Sequence, residues 1–355
     1  MSLPAPASEN AHPNLAQALS EPFVKNDVNA MLMAPGACAP ADAELRNDFD
    51  YVKVVDMRNA NAAEEFTTSL KHTGFAVVTH HGLDYDLVTQ VYEEWRKFYM
   101  SGQADQEKYL RNKATQDGYF SIKEAESAKG MEVKDLKQYY QLYFPHGRYP
   151  TEVSDTAARL FDALIKLGHE LLTWIDEHMD SAVREKVLEN LKKCNIDKLA
   201  DTIDPAQTML RILRYPPFAE IEKNLKSKIG EVRPGAVRAA AHEDINLITL
   251  LPAGSSRGLE VKDVDGIWHE VPLCTGSMIV NIGDMLQEMT QGEYKATTHR
   301  VVVPEGDDGA GDRMSCPCFI HPVAGTYLSQ QWPDSADYLT QRLVELGVAA
   351  APPKY

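Results

Sequence analysis

The amino-acid sequence predicts an α+β fold, with helices leading and short strands following that close into a jelly-roll (double-stranded β-helix) core. Three observations carry this. Between residues 154 and 179, Leu160, Leu164, Leu167, Leu171 and Ile175 recur every three or four positions, the spacing of one buried helix face. At about residue 207 the pattern changes to short β-branched and apolar runs that continue to 323. Asp265-Gly266, set between alternating segments, favours a tight two-residue hairpin turn. Helices packed on one face of antiparallel strands are the layer arrangement that this order supports.

Taken in order, residues 1–49 are rich in Ala, Pro, Asn and Ser and read as an extension, partly disordered or draped over the body. The helical and short-strand region spans 50–205. It opens with a strand at Tyr51–Met57, then a helix, AAEEFTTSLKHT, ending at the C-cap residue Gly74. GFAVVTHHG is a strand closed by Gly82, and Asp84 caps the helix after it. The long helix of 154–179 starts from Ser154 or Asp155, and Leu188 to Leu199 adds a further helical piece. The core, 206–325, comprises MLRILRY, NLITLLPA, LEVKDVDGIWHEVPL, SMIVNIGD, THRVVVP and RMSCPCFIHP. A C-terminal helix, Ser335–Leu346, lies within a last stretch, 326–355.

Composition narrows the function. With 44% apolar and 25% charged residues the chain has the profile of a soluble globular protein. A net charge of −16 without any Lys/Arg-rich run argues against a nucleic-acid partner. Five dispersed cysteines form no disulfide framework, and Cys316 and Cys318 lack the second pair a zinc ribbon needs; they read as small apolar residues in a reducing compartment. No basic-then-apolar leader and no membrane-length apolar run is visible. The expectation is a cytoplasmic protein with neither nucleic acid nor membrane as partner.

The chemistry gathers at His242 and Asp244, two apart at the entry to an apolar strand, where alternation lets imidazole and carboxylate share a face. His299 opens HRVVVP 55 positions after Asp244 and is the best-placed third ligand. Two histidines and one carboxylate with open positions opposite suit iron(II) oxygenases. H-x-D alone is a weak signal, and a lone strand histidine is ordinarily a satisfied core residue. Arg313 and Ser315, fourteen and sixteen residues beyond His299, strengthen the case, because an Arg fork and a hydroxyl side by side suit a buried carboxylate. A solvated Arg at a strand start is the plainer reading of Arg313.

The order H-x-D, distal His, R-x-S resembles the iron(II)/2-oxoglutarate-dependent oxygenases of the isopenicillin N synthase-like group. LRYPP (Leu213–Pro217), GLEVKDVDGIWHEVP and SMIVNIGDMLQEMTQGEYKATTHRV are similar to further segments of that family, as are VVDM, GFAVVTHHG and DLKQYYQLY nearer the front. The likeness spans residues 51–323. It implies that His242, Asp244 and His299 hold Fe(2+), that Arg313 and Ser315 bind the distal carboxylate of 2-oxoglutarate, and that Tyr215 hydrogen-bonds the co-substrate. Many plant members have Asn where this chain has Leu213, and Arg211 is the candidate for a compensating charge. Phe319 stands where family members present an aromatic to the substrate; a core role is the alternative. Asn281 and Gly283-Asp284 read as turn residues. Tyr119, Lys137 and Trp332 are further pocket candidates, each with a structural role as its alternative.

The resemblance implies consumption of 2-oxoglutarate and O2, release of succinate and carbon dioxide, and hydroxylation, desaturation or cyclisation of a small organic substrate. A substrate-driven oxidase of isopenicillin N synthase type, an ethylene-forming enzyme, a zinc hydrolase and a non-catalytic binding module on the same scaffold are the rivals. The intact triad and Arg313 argue against the binding module.

Overall fold

The computed structural model describes residues 51–112, 114–122, 137–225, 237–304 and 311–345. The expected extension of 1–49, most of the loop between His299 and Arg313, and the tail from Leu346 onward lie outside the described residues.

The first half alternates short strands with helices. β1 (Val54–Asp56) leads to α1 (Ala62–Thr73), which ends where expected: Gly74 has φ +74° and its N–H bonds Leu70 O. A Cβ there would collide with Thr297, so this position demands glycine twice over. β2 (Phe75–Thr79) precedes α2 (Tyr85–Met100), whose N-cap Asp84 accepts from the Asp86 N–H. A short α3 (Gln103–Glu107) is followed by β3 (Gly118–Phe120) and β4 (Gln138–Tyr143). In α4 (Thr156–Glu177) all five residues of the predicted stripe are buried; such burial stabilises by roughly 1.5–3 kcal/mol per side chain. The expected helix over 188–199 is displaced. α5 runs Ser181–Lys192, because the Asp180 carboxylate accepts from Ala182 N and starts the helix earlier. Only a 3₁₀ turn, Leu199–Thr202, occupies the later stretch.

The second half supplies β5 (Met209–Tyr215), α6 (Phe218–Leu225), β6 (Val237–His242), β7 (Ile248–Pro252), β8 (Leu259–Lys262) and β9 (Trp268–Glu270). The β8–β9 turn is longer than predicted. Asp263 N bonds Ile267 O, and the Asp263 carboxylate takes the N–H groups of Asp265 and Ile267, leaving a three-residue loop with Gly266 at φ +87°. β10 (Met278–Ile282), α7 (Asp284–Met289) and β11 (His299–Val302) follow. The run RMSCPCFIHP is two strands, β12 (Arg313–Ser315) and β13 (Cys318–Ile320), interrupted at Pro317, which has no N–H for a ladder. α8 (Ser335–Glu345) is last.

Two sheets result. Nine strands form the larger, in the order β1-β2-β10-β7-β13-β5-β4-β3 with β12 also on β5; β6-β11-β8-β9 form the smaller. Strands from 50–205 and from 206–325 thus share one sheet. Its outer face packs on α1, α2 and α4 through one core cluster, and its inner face meets the smaller sheet through a second. Phe75, Tyr139, Leu213, Tyr215, Ala239, Val261 and Val301 belong to that second cluster, which identifies the inner face strand by strand. Cys194, Cys316 and Cys318 are free. Among the described residues no helix is long and apolar enough to cross a membrane.

Candidate metal and co-substrate site

His242 and His299 are direct Cα partners across the antiparallel β6–β11 pair, with ring centroids 4.4 Å apart. Asp244 is not on the strand, as its spacing had implied. It lies just past the end of β6, where the chain crosses from the smaller sheet toward β7 in the larger one. The crossing still turns its carboxylate onto the histidines: Oδ1 is 3.6 Å from His242 Nε2 and 3.7 Å from His299 Nε2. One donor atom from each residue lies within 4.8 Å of the others, and this is the one such cluster of three or more among the described residues.

Every remaining polar atom of the trio is engaged. His242 Nδ1 bonds Ala240 O at 2.8 Å and His299 Nδ1 bonds Thr297 O at 3.0 Å, which fixes each ring with Nε2 inward. Oδ2 of Asp244 accepts from Thr249 Oγ1 at 2.5 Å and from Asn281 Nδ2 at 2.8 Å. Asn246 Nδ2 in turn donates to Thr249 Oγ1 at 2.8 Å. Phe75 meets the His299 ring edge-on at 5.4 Å. Asn281 therefore has a different place from the turn role expected of it: it lies within β10 and donates to Asp244. Thr249 and Asn246 escaped sequence reasoning altogether.

Burial pushes the His242 pKa down to about 4, and His299 beside it acts in the same direction, although 41% of the His242 side chain remains solvent-accessible. Burial alone would raise the Asp244 carboxyl. The two histidines, with the hydrogen bonds from Asn281 and Thr249, outweigh it and hold the group below its usual range. Near neutrality the trio thus offers a neutral imidazole at His242 and a carboxylate at Asp244. Two imidazole nitrogens and one carboxylate oxygen, each with a single lone pair aimed inward, fit a divalent iron ion held on one face.

Arg313, Ser315 and Tyr215 come together as expected. Arg313 pairs with Tyr215 and Ser315 with Leu213 across β12–β5, so their side chains share the inner face. The Arg313 guanidinium lies 5.0 Å from the Tyr215 ring centroid, and its Nε donates to Ser256 O at 3.3 Å. All three residues are buried, and Arg313 Nη1 has no hydrogen-bond partner among the described residues. A cavity of about 210 Å³ bordered by Arg238, Arg257 and Arg313 adjoins it. A buried guanidinium nitrogen without a partner, beside a hydroxyl, fits a carboxylate ligand.

Arg211 is set apart. Four residues from Tyr215 along β5, it is ~13 Å away at strand rise, with its guanidinium between the rings of Tyr139 and Phe319 at 4.6 and 5.3 Å. Phe319 pairs with Thr249 and faces inward with it. Lys137 is buried next to β4. Tyr119 and Trp332 are elsewhere: Tyr119 packs with Phe98 and Tyr99 on the helical side, and Trp332 against Tyr338.

Comparison with known proteins agrees with this geometry. Residues 207–322 match the model of the 2OG-Fe(II) oxygenase superfamily, and residues 49–163 match that of the non-haem dioxygenase in morphine synthesis N-terminal region. A crystal structure of a Shewanella oneidensis protein, assigned as an oxygenase, is 38% identical with a TM-score of 0.70, covering 84% of this chain and 99% of its own. The 2-oxoglutarate-dependent dioxygenase frbJ of Dothideomycetidae sp. is 28% identical, covering 82% of this chain and 80% of its own length. Feruloyl CoA ortho-hydroxylase 1 of Arabidopsis thaliana is 26% identical, covering 80% and 74%.

Proposed function

The chain belongs to the 2OG-Fe(II) oxygenase superfamily, and on that premise we propose that His242, Asp244 and His299 hold its iron and that Arg313, Ser315 and Tyr215 seat its 2-oxoglutarate. The protein is a 2-oxoglutarate-dependent non-haem iron(II) dioxygenase whose cofactor is Fe(2+) and whose co-substrates are 2-oxoglutarate and O2. Together these supply the oxidant for a C–H bond, with succinate and carbon dioxide released.

The residues have separable tasks in this reading. Thr249 and Asn281 occupy Oδ2 of Asp244, so that Oδ1 is the oxygen presented to the metal. Backbone carbonyls hold both imidazoles in one tautomer. A neutral His242 binds without first losing a proton. Arg313 offers its fork, and Ser315 a hydroxyl, to the distal carboxylate, with the Tyr215 ring packed on the guanidinium. Phe75, Val301 and Ala239 line the inner face and keep water from the reacting centre. The Arabidopsis relative is an ortho-hydroxylase of feruloyl-CoA, which favours hydroxylation of a small organic molecule over desaturation or cyclisation.

The single observation that carries this reading is the convergence of two Nε2 atoms and one Oδ1, each with its companion atom already bonded. Anaerobic titration of the metal-free protein with iron(II) and then 2-oxoglutarate tests it. A visible charge-transfer band that needs both additions, and is lost in His242→Ala and weakened in Arg313→Leu, is the expected result. Tight iron binding without a band would point instead to a substrate-driven oxidase.

A further inference from the structure

We infer that Gly74 and Phe75, the corner between α1 and β2, are positioning residues for His299, so that the helical half of the chain orients a metal ligand it does not itself supply. This rests on the iron-site reading above and adds to it a control of the site from outside the jelly-roll core.

The corner is anchored from the α1 side. Ser69 and Thr73, both buried, stand in the last two turns of α1. Ser69 Oγ accepts from Lys53 N at 3.1 Å and donates to Phe75 O at 2.7 Å. Phe75 N donates to Thr73 Oγ1 at 3.0 Å. Ile282 N, at the end of β10, donates to Gly74 O at 3.0 Å. Two buried hydroxyls and a strand N–H thus hold two consecutive peptide units, which fixes where the Phe75 ring begins.

From there the corner reaches His299 by two routes. The first is backbone contact. A Cβ on Gly74 would collide with the Thr297 side chain and stand 2.7 Å from Lys295 O, so only a glycine lets α1 end against this segment. Thr297 O is the carbonyl that bonds His299 Nδ1 at 3.0 Å. The second is ring contact. Phe75, fully buried, meets the His299 ring edge-on, with centroids 5.4 Å apart and planes at 74°. Phe75 is also the Cα partner of Asn281, whose amide donates to Oδ2 of Asp244 at 2.8 Å.

A single hydrogen bond at Nδ1 leaves an imidazole able to rock about that bond. An aromatic ring packed edge-on beside it closes that freedom, and the close approach of Gly74 keeps the Thr297 carbonyl in place. Both constraints on the direction of His299 Nε2 therefore pass through residues 74 and 75.

The test is anaerobic iron(II) titration of the full chain, followed by the 2-oxoglutarate charge-transfer band, with thermal melts on every variant. Phe75→Leu is expected to lose about 10-fold or more in iron(II) affinity, the range for removing a group that orients a ligand, and to move the band. Gly74→Ala should lose affinity similarly. Adding Thr297→Gly to it should restore most of the affinity by removing the collision, while the left-handed φ still lowers the melting temperature. Val78→Ala, on the helix-facing side of β2, should lower the melting temperature and leave iron affinity unchanged. Unchanged affinity and band position in a folded Phe75→Leu, no recovery in the double variant, or an affinity loss in Val78→Ala equal to that of Phe75→Leu would overturn the proposal alone. Wild-type affinity in His299→Ala would instead sink the iron-site reading, and this proposal with it.

Discussion

The hydroxyl of Thr249 donates to Oδ2 of Asp244 at 2.5 Å, the carboxylate oxygen that does not face the two histidines. Asn281 takes the same oxygen from the neighbouring strand, where it is the Cα partner of Thr249. The two donors determine which Asp244 oxygen faces His242 and His299, and they favour its ionised form against the cost of burial.

Thr249→Val keeps the shape and removes the hydroxyl. Its expected effect is a loss of iron(II) affinity of about 10- to 100-fold, the usual consequence of deleting a group that orients a metal ligand. Anaerobic iron titration against the wild type checks this. An unchanged dissociation constant in a folded variant would mean that the ligand is oriented by other contacts.

Gly283 is required by space rather than by its backbone angles. Its φ is −95°, yet a Cβ there would collide with the side-chain and backbone oxygens of Asn246. Asn246 supports Thr249, which supports Asp244. Gly283→Ala should therefore cost on the order of 1–3 kcal/mol of stability, as overpacking does, and weaken iron binding as well. Urea unfolding and iron titration, read together, separate this from a purely local clash, which would lower stability and leave the metal site unchanged.

The proposed metal site was legible in the sequence because the three residues that the fold brings together carry local signals: H-x-D at the end of a strand and a histidine opening another. Arg313 and Ser315 were legible for the same reason, as an alternating pair on a short strand. Thr249, Asn246 and Asn281 were not, because their roles depend on which strands become neighbours, and β7 and β10 are joined only by the final register. The same holds for Arg211, whose neighbours Tyr139 and Phe319 come from strands 72 residues before and 108 residues after it. The helices followed their periodicity, while α5 shifted because a cap at Asp180 outranked a weak apolar pattern.

Asp312, next to Arg313, accepts from Arg96 Nε and from Arg214 Nε, both at 2.7 Å, and Arg214 also forks onto Glu220. Arg214 is 2% exposed. Burial would lower its pKa, but Asp312 and Glu220 outweigh that and hold the guanidinium charged. Asp312→Ala leaves this buried charge half-partnered and should cost ~3–5 kcal/mol. Replacing Arg214 and Asp312 together should cost less than the sum of the single changes. A double-mutant cycle by urea unfolding measures the coupling, and strict additivity would show that the pair is not a unit.

Asp117 provides a pH test remote from the metal. Burial would raise its carboxyl, but Thr115 and Arg148 hold it below the usual range; Thr115 donates to Oδ1, and Arg148 donates its backbone N–H at 3.0 Å and its Nε at 2.8 Å to Oδ2. A carboxyl with a depressed folded-state pKa binds protons more readily when the chain is unfolded. Its contribution to stability is fully present above the unfolded value, ~3.9, and is lost as pH falls through the lower folded value. Asp117→Asn removes that dependence, so the stability gap between wild type and variant should be widest at neutral pH and shrink progressively below about pH 4. Urea midpoints for both proteins in buffers from about pH 7 down to about pH 3 decide it. A gap of constant size across that range would mean that Arg148 and Thr115 act on Asp117 through shape and not through its charge.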